Sequence, residues 1–399
     1  MEPLIRFSDF SNGWESTSLG NLFRERNERN SNKELLSVTM HQGVIKANAN
    51  GRHNNSNDDR SSYKYVAKGD IAYNSMRMWQ GACGCSKYEG IVSPAYTVII
   101  PSASIVPDFF IRLFKSKKTL KKFRLNSQGL TSDTWNLKYP TLSKILVNYP
   151  CSHIEQQAIS DYFDNIDTLI AKTSARLTSL KQVKEASLQV MFTQEGETVP
   201  RVRFKGFEGE WGQVRLKDIS TKVVEKNKSN SISITLTNSA EYGIIDQRDF
   251  FDHDVSNIDN ISGYFVVQPQ DFVYNPRISA LAPVGPINMN KLGYSGVMSP
   301  LYYVFRVFGI NRDFLDVFFK TNIWHKYMKD NGNTGARFDR LSISDELFRE
   351  MPIYCPKDIN EQKKIANYFR SIDRQIDLQA QRLKKLKQFK AACLDKMFV

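Results

Sequence analysis

The sequence predicts an α+β protein in which two globular α/β domains are separated by a pair of long antiparallel coiled-coil helices. Three observations lead to this fold class. A long helical stretch occurs twice, the same series of strand and loop patterns precedes each copy, and the chain has 399 residues. That length is enough for two or more domains. An internal repeat of this kind predicts a pseudo-twofold architecture of domain, helix, domain, helix.

The duplicated helix runs from Glu155 to Phe192 and returns from Glu361 to Phe398 without a gap, with nearly half of the positions identical. Neither copy contains glycine or proline, and a helix of this length extends about 57 Å at 1.5 Å per residue. Apolar residues recur at steps of three and four, which is typical of a helix that packs along a seam. The stripe comprises Ile159, Phe163, Ile166, Ile170, Leu177, Leu180, Val183 and Met191 in the first copy and Ile365, Phe369, Ile372, Ile376, Leu383, Leu386, Phe389 and Met397 in the second.

Two interpretations of these helices remain open. They are either ordinary amphipathic helices copied with their domains, or a paired spacer that holds two domains apart. A single helix of this kind is unstable in water, and two can bury their seams against each other. Each helix follows one domain, so a closed pseudo-twofold requires them to run antiparallel. The predicted seam consists of Phe163, Ile166, Ile170, Leu177 and Leu180 against Phe369, Ile372, Ile376, Leu383 and Leu386.

The repeat also predicts the domain boundaries. We assign residues 1–152 to the first domain, 153–195 to a central helix, 196–358 to the second domain and 359–399 to a C-terminal helix. The opening Pro3–Phe7 with Trp14 returns as Pro200–Phe204 with Trp211. The polar loops between the shared landmarks barely align. Divergence in exposed loops on a common frame indicates two surfaces for two different ligands.

Strand and helix patterns fill each domain in the same order. Residues 69–77 and 270–277 each predict a short strand that ends in a loop presenting Asn and Arg, and 90–99 and 296–305 predict further strands. An amphipathic helix follows, at about 108–124 and 313–329. On the first of these, Lys117 and Lys121 lie on a lysine-rich face that either contacts phosphate or is simply solvated.

Composition favours a polyanionic partner. The chain has 55 basic and 42 acidic residues, a net charge of +13, and both halves share the excess; nucleic acid is the first candidate. Five cysteines without a regular spacing predict reduced thiols in a cytoplasmic protein. The first ten residues do not have the pattern of a signal peptide, and no apolar run is long enough to cross a membrane.

Motifs for chemistry are not apparent. The sequence has no phosphate-binding glycine loop, no zinc-protease motif and no calcium-binding loop. We therefore predict no catalytic residue, no metal site and no cofactor of the chain's own.

The ordered landmarks resemble those of the DNA specificity subunits of type I restriction–modification systems. They are the Pro-x-x-Arg-Phe openings, the Gly69-Asp70 to Tyr73-Asn74 segment, Ile91–Tyr96 and the Glu-Gln starts of both long helices. The second half departs from the pattern at Gln270 and Pro276. The resemblance implies a non-catalytic subunit that binds double-stranded DNA with a bipartite target. It also implies two methyltransferase subunits and, in the full complex, two restriction–translocation subunits, with S-adenosylmethionine, ATP and Mg expected on those partners.

The predicted DNA-binding residues lie in the loops of both domains and on the lysine-rich helix face of the first domain. Arginine and asparagine make bidentate contacts with guanine and adenine, and lysine positions the phosphate backbone. The alternative is that Arg77 and Arg277 brace their own loops through carboxylates such as Asp70 and Asp271. Two other functions stay open: a specificity component of a different restriction–modification architecture, and a coiled-coil adaptor without DNA. The candidate residues are Asn74, Arg77, Lys117, Lys121, Asn275, Arg277, Arg337 and Arg340.

Overall fold

A four-stranded antiparallel sheet occurs twice along the chain with the same strand order. The computed structural model describes residues 2–40, 42–50, 59–250, 258–334 and 339–399. It divides into two units, Met1–Arg176 with Gln379–Val399, and Leu177–Leu378. Each unit therefore includes one end of both long helices, whereas the domains predicted from sequence stop where the helices begin.

The first unit is built on the sheet β2-β9-β6-β7, with the two-stranded pairs β1-β10, β3-β4 and β5-β8 around it. Its strands are β1 Glu15–Ser18, β2 Phe23–Glu25, β3 Leu36–Thr39, β4 Gly43–Lys46, β5 Lys64–Val66, β6 Ile71–Asn74, β7 Cys83–Cys85, β8 Gly90–Val92, β9 Tyr96–Pro101 and β10 Leu146–Tyr149. Its helices are α1 Leu19–Leu22, α2 Pro107–Phe114, α3 Lys117–Asn126, α4 Tyr139–Leu142 and the first part of α5 His153–Val190.

The second unit repeats this plan with the sheet β12-β19-β16-β17 and the pairs β11-β22, β13-β14, β15-β18 and β20-β21. Its strands are β11 Gly212–Arg215, β12 Ser220–Lys222, β13 Leu236–Ser239, β14 Gly243–Asp246, β15 Phe265–Val267, β16 Phe272–Tyr274, β17 Ile287–Met289, β18 Gly296–Met298, β19 Tyr303–Val307, β20 Asn333–Thr334, β21 Leu341–Ser342 and β22 Pro352–Cys355. Its helices are α6 Leu216–Ile219, α7 Gln247–Phe250, α8 Arg312–Phe318, α9 His325–Asn331, α10 Asp345–Arg349 and the first part of α11 Ile359–Lys396.

An aromatic core fills the space between the sheet and the helices of each unit. In the first unit Phe109, Phe110 and Phe114 of α2 are fully buried, and in the second unit Phe314 and Phe318 of α8 are fully buried. These are apolar positions of the two amphipathic patterns seen in the sequence. The mixed strand and helix content in two repeats confirms the predicted fold class.

The single amphipathic helix predicted over 108–124 is wrong, because the chain forms two helices there. Residues Lys115 and Ser116 separate α2 from α3, and the hydroxyl of Ser116 accepts a hydrogen bond from the backbone N–H of Thr119. A serine in this position caps the start of a helix. The prediction over 313–329 fails in the same way, since α8 ends at Phe318 and α9 begins at His325.

Segments of the two long helices pack antiparallel inside each unit. In the second unit, Lys184 forms an ion pair with Asp373 at 2.5 Å and Ser187 shares a hydrogen bond of 2.9 Å with Tyr368. Ascending numbers on α5 thus meet descending numbers on α11. In the first unit, Asp167 pairs with Lys390, which occupies the position in α11 that Lys184 has in α5.

All ten residues of the predicted seam are buried or half-buried, whereas two other apolar residues of the stripe are exposed. Phe163, Ile166, Leu180, Phe369 and Ile372 are buried, and Ile170, Leu177, Ile376, Leu383 and Leu386 are half-buried. However, Val183 is 45% exposed and Phe389 is 51% exposed, so these two apolar residues lie off the seam. Polar Thr173 and Ser187 are buried there instead. The apolar stripe therefore differs from the buried face at these positions, since Ser187 is buried by its hydrogen bond with Tyr368 while Val183 is exposed.

Within the described residues, no helix combines the length and the apolar character needed to cross a membrane. All five cysteines are free thiols.

Candidate nucleic-acid interface

A cleft lies at the end of β6 in the first unit, between the Asn74–Arg77 loop and the β3-β4 hairpin. Its volume is about 680 Å³, and Thr39, Gln42, Asn74, Arg77 and Gln80 are among its lining residues. The hairpin turn is tight: Gly43 has a φ of +67°, a conformation that favours glycine. The cleft is therefore built by a rigid strand end on one side and a short hairpin on the other.

The second unit has a cleft in the equivalent place, at the end of β16 and beside the β13-β14 hairpin. Its volume is about 370 Å³, and the lining includes Asn238, Ser239, Asn275, Arg277 and Arg340. Candidates from two separate loops thus meet here: Arg277 and Arg340 face each other across an antiparallel β-bridge. Both arginine residues are exposed. Two exposed arginine residues on paired backbone segments give this cleft hydrogen-bond donors for a nucleic-acid ligand.

Hydrogen bonds in the two loops show what the asparagines do. The side-chain carbonyl of Asn74 accepts from the backbone N–H of Met76 at 3.0 Å, and that of Asn275 accepts from the N–H of Arg277 at 3.0 Å. This local turn is a common use of asparagine. The amide of Asn275 also donates to the carbonyl of Asn238 at 2.9 Å. Both polar ends of Asn275 are thus engaged within the unit, which gives it a supporting position behind Arg277.

The carboxylates of Asp70 and Asp271 form ion pairs with arginines other than Arg77 and Arg277. Asp70 accepts two hydrogen bonds from Arg26, at 2.7 and 3.1 Å, and Asp271 accepts two from Arg306, at 2.8 and 2.9 Å. The hydrogen bond to Asp70 raises the pKa of Arg26. The alternative that Arg77 and Arg277 are held by Asp70 and Asp271 is therefore not what the structure shows.

Arg77 is exposed at the cleft of the first unit. It stands one residue further from the asparagine than Arg277 does, so the two arginines are not strictly equivalent in the repeat. Of the remaining candidates, Arg337 lies outside the described residues.

The lysine-rich face of α3 divides into two groups. Lys118 donates to the carbonyl of Phe398 at 3.1 Å and Lys122 to that of Leu146 at 2.8 Å, so both have structural partners. Lys117 and Lys121 are exposed, and within the described chain neither makes an intramolecular ion pair or side-chain hydrogen bond. Their ammonium groups are available to a phosphate, and solvation remains the alternative.

The departures of the second half leave its loop geometry intact. Gln270 adopts a φ of +70° where the first unit has Gly69 at +94°. The carbonyl of Pro276 accepts from the N–H of Leu341 at 2.8 Å, just as that of Ser75 accepts from Leu137 at 2.9 Å.

The sequence predicts strands joined by exposed loops over 24–63, but it does not reveal that a hairpin forms the second wall of each cleft. The signal that could have found the two hairpins is a repeated pattern: Leu36–Thr39 followed by Gly43, and Leu236–Ser239 followed by Gly243. Glycine between two alternating strands is a hairpin signature.

Comparison with known proteins agrees with this duplicated architecture. The sequence profile of the type I restriction modification DNA specificity domain matches residues 11–182 and again 208–388. No curated protein sequence matches the chain significantly.

Solved structures give the fold over the whole length. The S subunit of a type I restriction–modification system from M. genitalium superposes with a TM-score of 0.57 at 13% identity, covering 100% of this chain and 99% of the other. The HsdS subunit from Thermoanaerobacter tengcongensis gives 0.50 at 16% identity over 97% of both chains. A chain from a study of complex assembly and conformational transition of the type I R-M system gives 0.53 at 15% identity, covering 97% and 98%.

Two units with equivalent clefts define a class of protein built by duplication of one domain. The chain belongs to the family of type I restriction–modification DNA specificity subunits and carries two specificity domains. The resemblance noted in the sequence is thereby confirmed.

Proposed function

We propose that each cleft reads one half of a bipartite double-stranded DNA target. The observation that carries the proposal is the repeated position of the cleft, with exposed Arg77 in one unit and exposed Arg277 and Arg340 in the other. Arginine contacts guanine edges in the major groove through two parallel hydrogen bonds. Asn74 and Asn275 shape the loops, and Lys117 and Lys121 supply phosphate contacts that set the position of the first unit.

The different linings support two different half-sites. The first cleft has Gln42 and Gln80, whereas the second has a pair of arginines and a polar hairpin with Asn238 and Ser239. Because donors and acceptors differ in kind and number, the two clefts select different base patterns. The long helices would then set the gap between the half-sites.

The chain would act without chemistry of its own. We propose that it docks two methyltransferase subunits and, in the complete complex, two restriction–translocation subunits, which bring S-adenosylmethionine, ATP and Mg. With DNA as its ligand, it would work in the cytoplasm. Among the described residues, no cluster of three or more His, Cys, Asp or Glu is arranged to hold a metal ion.

Methylation mapping of the host genome tests this proposal first, because it yields the bipartite motif. A duplex with that motif is then titrated with the chain and its methyltransferase subunit at several salt concentrations. We expect tight binding whose logarithm falls linearly with the logarithm of salt. Arg277→Ala with Arg340→Ala should weaken binding by about 1–3 kcal/mol for each base that these arginines bind in the wild type.

The exposed Arg349 on α10 provides the control, and Arg349→Ala should bind as the wild type does. Equal affinity for the motif and for unrelated DNA would contradict sequence reading. No affinity for DNA at all would favour the adaptor function.

A further inference from the structure

In both repeats a lysine follows, at the same place, the helix that packs against the last strand of the four-stranded sheet, α2 against β7 and α8 against β17. Lys115 comes immediately after α2 and Lys320 shortly after α8, each equally far from the aspartate of the first turn, Asp108 or Asp313. Neither lysine belongs to the lysine-rich face of α3, and neither lines the clefts described above. Both instead reach toward the hairpin that forms the second wall of the cleft.

In the first unit the connection is direct. The ammonium group of Lys115 donates to the carbonyl of Met40, at the β3-β4 turn, with a distance of 3.0 Å. The hairpin backbone packs closely on β7 at Gly84. No side chain would fit there, since a Cβ atom at Gly84 would lie 2.5 Å from the Cα of Gly43. The contact between Gly43 and Gly84 and the hydrogen bond from Lys115 thus fix the position of the hairpin relative to the sheet.

In the second unit Asn288 occupies the position of Gly84, and the connection passes through its side chain. The ammonium group of Lys320 donates to the carbonyl oxygen of the Asn288 side chain. The amide of Asn288 then donates to the side-chain oxygen of Asn238 at 2.6 Å and to the backbone carbonyl of Ser239 at 3.2 Å. Asn238 and Ser239 belong to the hairpin and line the cleft.

This chain of hydrogen bonds from Lys320 through Asn288 to Asn238, here called the relay, continues to the loop that presents Arg277. The amide of Asn238 donates to the carbonyl of Val273 at 2.7 Å, and the backbone carbonyl of Asn238 accepts from Asn275 at 2.9 Å. Both Asn238 and Asn288 are buried, with 2% and 5% exposure. A buried polar chain with all its groups paired holds its members in one geometry. Its two ends are the lysine and the turn that presents Arg277.

A buried carboxylate holds Lys320 in place. Asp316 lies one helical turn earlier, 3.8 Å from Lys320 and 2.6 Å from Lys291. Burial on its own would raise the pKa of Asp316, but the two lysines outweigh it and hold the pKa below its usual value. The carboxylate is therefore charged when the relay forms.

We propose that Lys115 and Lys320 are positioning residues for DNA recognition, which fix the reading hairpin of their own unit directly in the first case and through Asn288 and Asn238 in the second. This rests on the proposed function, because the hairpin matters only if the cleft reads DNA. The expected effect of removing either lysine is confined to one half-site.

The test uses the complex of the full chain with its methyltransferase subunit, and duplexes that carry the mapped motif with one base changed in either half. Lys115→Met should reduce the preference for the intact first half-site by about tenfold, the ratio that one base contact supplies. Lys320→Met should do the same for the second half-site alone. Lys144→Met and Lys329→Met, at exposed lysines in the two units, should leave both preferences unchanged.

Two further variants separate positioning from general stability. Lys115→Arg keeps a donor for the Met40 carbonyl and should restore most of the first preference. Asn288→Asp keeps an acceptor for Lys320 but removes the amide that donates to Asn238, so the second preference should be reduced as in Lys320→Met. Melting temperatures within a few degrees of the wild type are expected for the last variant.

The outcomes distinguish this inference from the proposed function. If the wild-type complex shows no half-site preference, the proposed function is wrong. If the wild type discriminates and Lys115→Met, Lys320→Met and Asn288→Asp all discriminate equally well, the positioning role is wrong. An equal decrease at both half-sites, in step with a lower melting temperature, would also overturn it.

Discussion

Arg6 and Glu155 form a two-pronged ion pair, with the Nε–Oε1 distance at 2.7 Å and the Nη2–Oε2 distance at 2.8 Å. Arg203 and Glu361 repeat it at 2.7 Å for both contacts. The arginines come from the repeated openings and the glutamates from the repeated helix starts. The opening motif and the Glu-Gln helix start are about 150 residues apart in sequence but in contact in each unit. This contact explains why both motifs occur in both repeats.

The same meeting point explains the rest of both motifs. Gln156 accepts from the N–H of Val106 at 2.7 Å and donates to the carbonyl of Pro150 at 2.8 Å. Gln362 makes the matching pair of contacts with Asn311 and Pro356. Each Glu-Gln start thus ties a long helix to its unit through buried, paired polar groups.

Removing one glutamate should destabilise its own unit strongly. Glu155→Gln and Glu361→Gln each leave a guanidinium without its charged partner, and we expect a decrease of about 3–5 kcal/mol in the free energy of unfolding. Glu155 also accepts from the indole of Trp14 at 3.1 Å, a bond that the side-chain oxygen of glutamine can keep. Urea unfolding of the purified chain measures both.

The exposed Glu185 on α5 serves as the matched control for these variants. Glu185→Gln should unfold as the wild type does. Equal stability of all three variants would show that the ion pairs contribute nothing.

The seam defined by the structure makes a different prediction from the apolar stripe in the sequence. Ile166 and Ile372 are 5% and 6% exposed, so Ile166→Asp and Ile372→Asp should each cost about 3 kcal/mol or more by burying an unpaired charge. Val183→Asp and Phe389→Asp should cost little in the isolated chain because both side chains are exposed. Thermal unfolding compares the four variants, and a similar destabilisation of all of them would restore the stripe as the packing face.

His325 should make the second unit sensitive to mild acid. Burial, with a smaller contribution from Lys329, lowers the pKa of His325 from 6.5 to about 4. The unfolded chain therefore takes up a proton at higher pH than the folded chain, and stability falls as the pH drops from about 6.5 to about 4. At about 1.4 kcal/mol per pKa unit, the difference between 6.5 and about 4 amounts to at most about 3.4 kcal/mol, and the partial exposure of His325 reduces this value.

Urea unfolding of the wild type and His325→Gln at pH 7, 5.5 and 4.5 measures this effect. The variant should lose less stability than the wild type over this range, while His153→Gln, at an exposed histidine, should follow the wild type. Parallel pH curves for wild type and His325→Gln would count against the assignment.

Much of the frame could be predicted from the sequence because duplication makes weak patterns visible twice. The strand ends at Asn74 and Asn275, and the two long helices, lie where the repeats place them. The exposure of Val183 and Phe389 could not be predicted from the sequence. An apolar stripe does not reveal that polar Ser187 is buried through its hydrogen bond with Tyr368. Pairing between distant positions is the information that a single sequence lacks.

The candidate site shows the same limit. Arginine in a polar loop pointed to Arg77 and Arg277, but the bridge that brings Arg340 beside Arg277 joins loops more than sixty residues apart in sequence. The carboxylates nearest in sequence were the natural partners to consider. Asp70 pairs instead with Arg26, 44 residues away.

The most direct test of DNA recognition by two clefts is half-site discrimination by Arg77→Ala and Arg277→Ala in complex with the methyltransferase subunit. Binding is measured on duplexes that carry the mapped motif with single base changes in the first or the second half. We predict that Arg77→Ala relaxes the preference at one position of one half-site, and Arg277→Ala at one position of the other, each by about 1–3 kcal/mol. Both variants discriminating like the wild type at every position, with unchanged salt dependence, would contradict the assignment of these clefts to DNA.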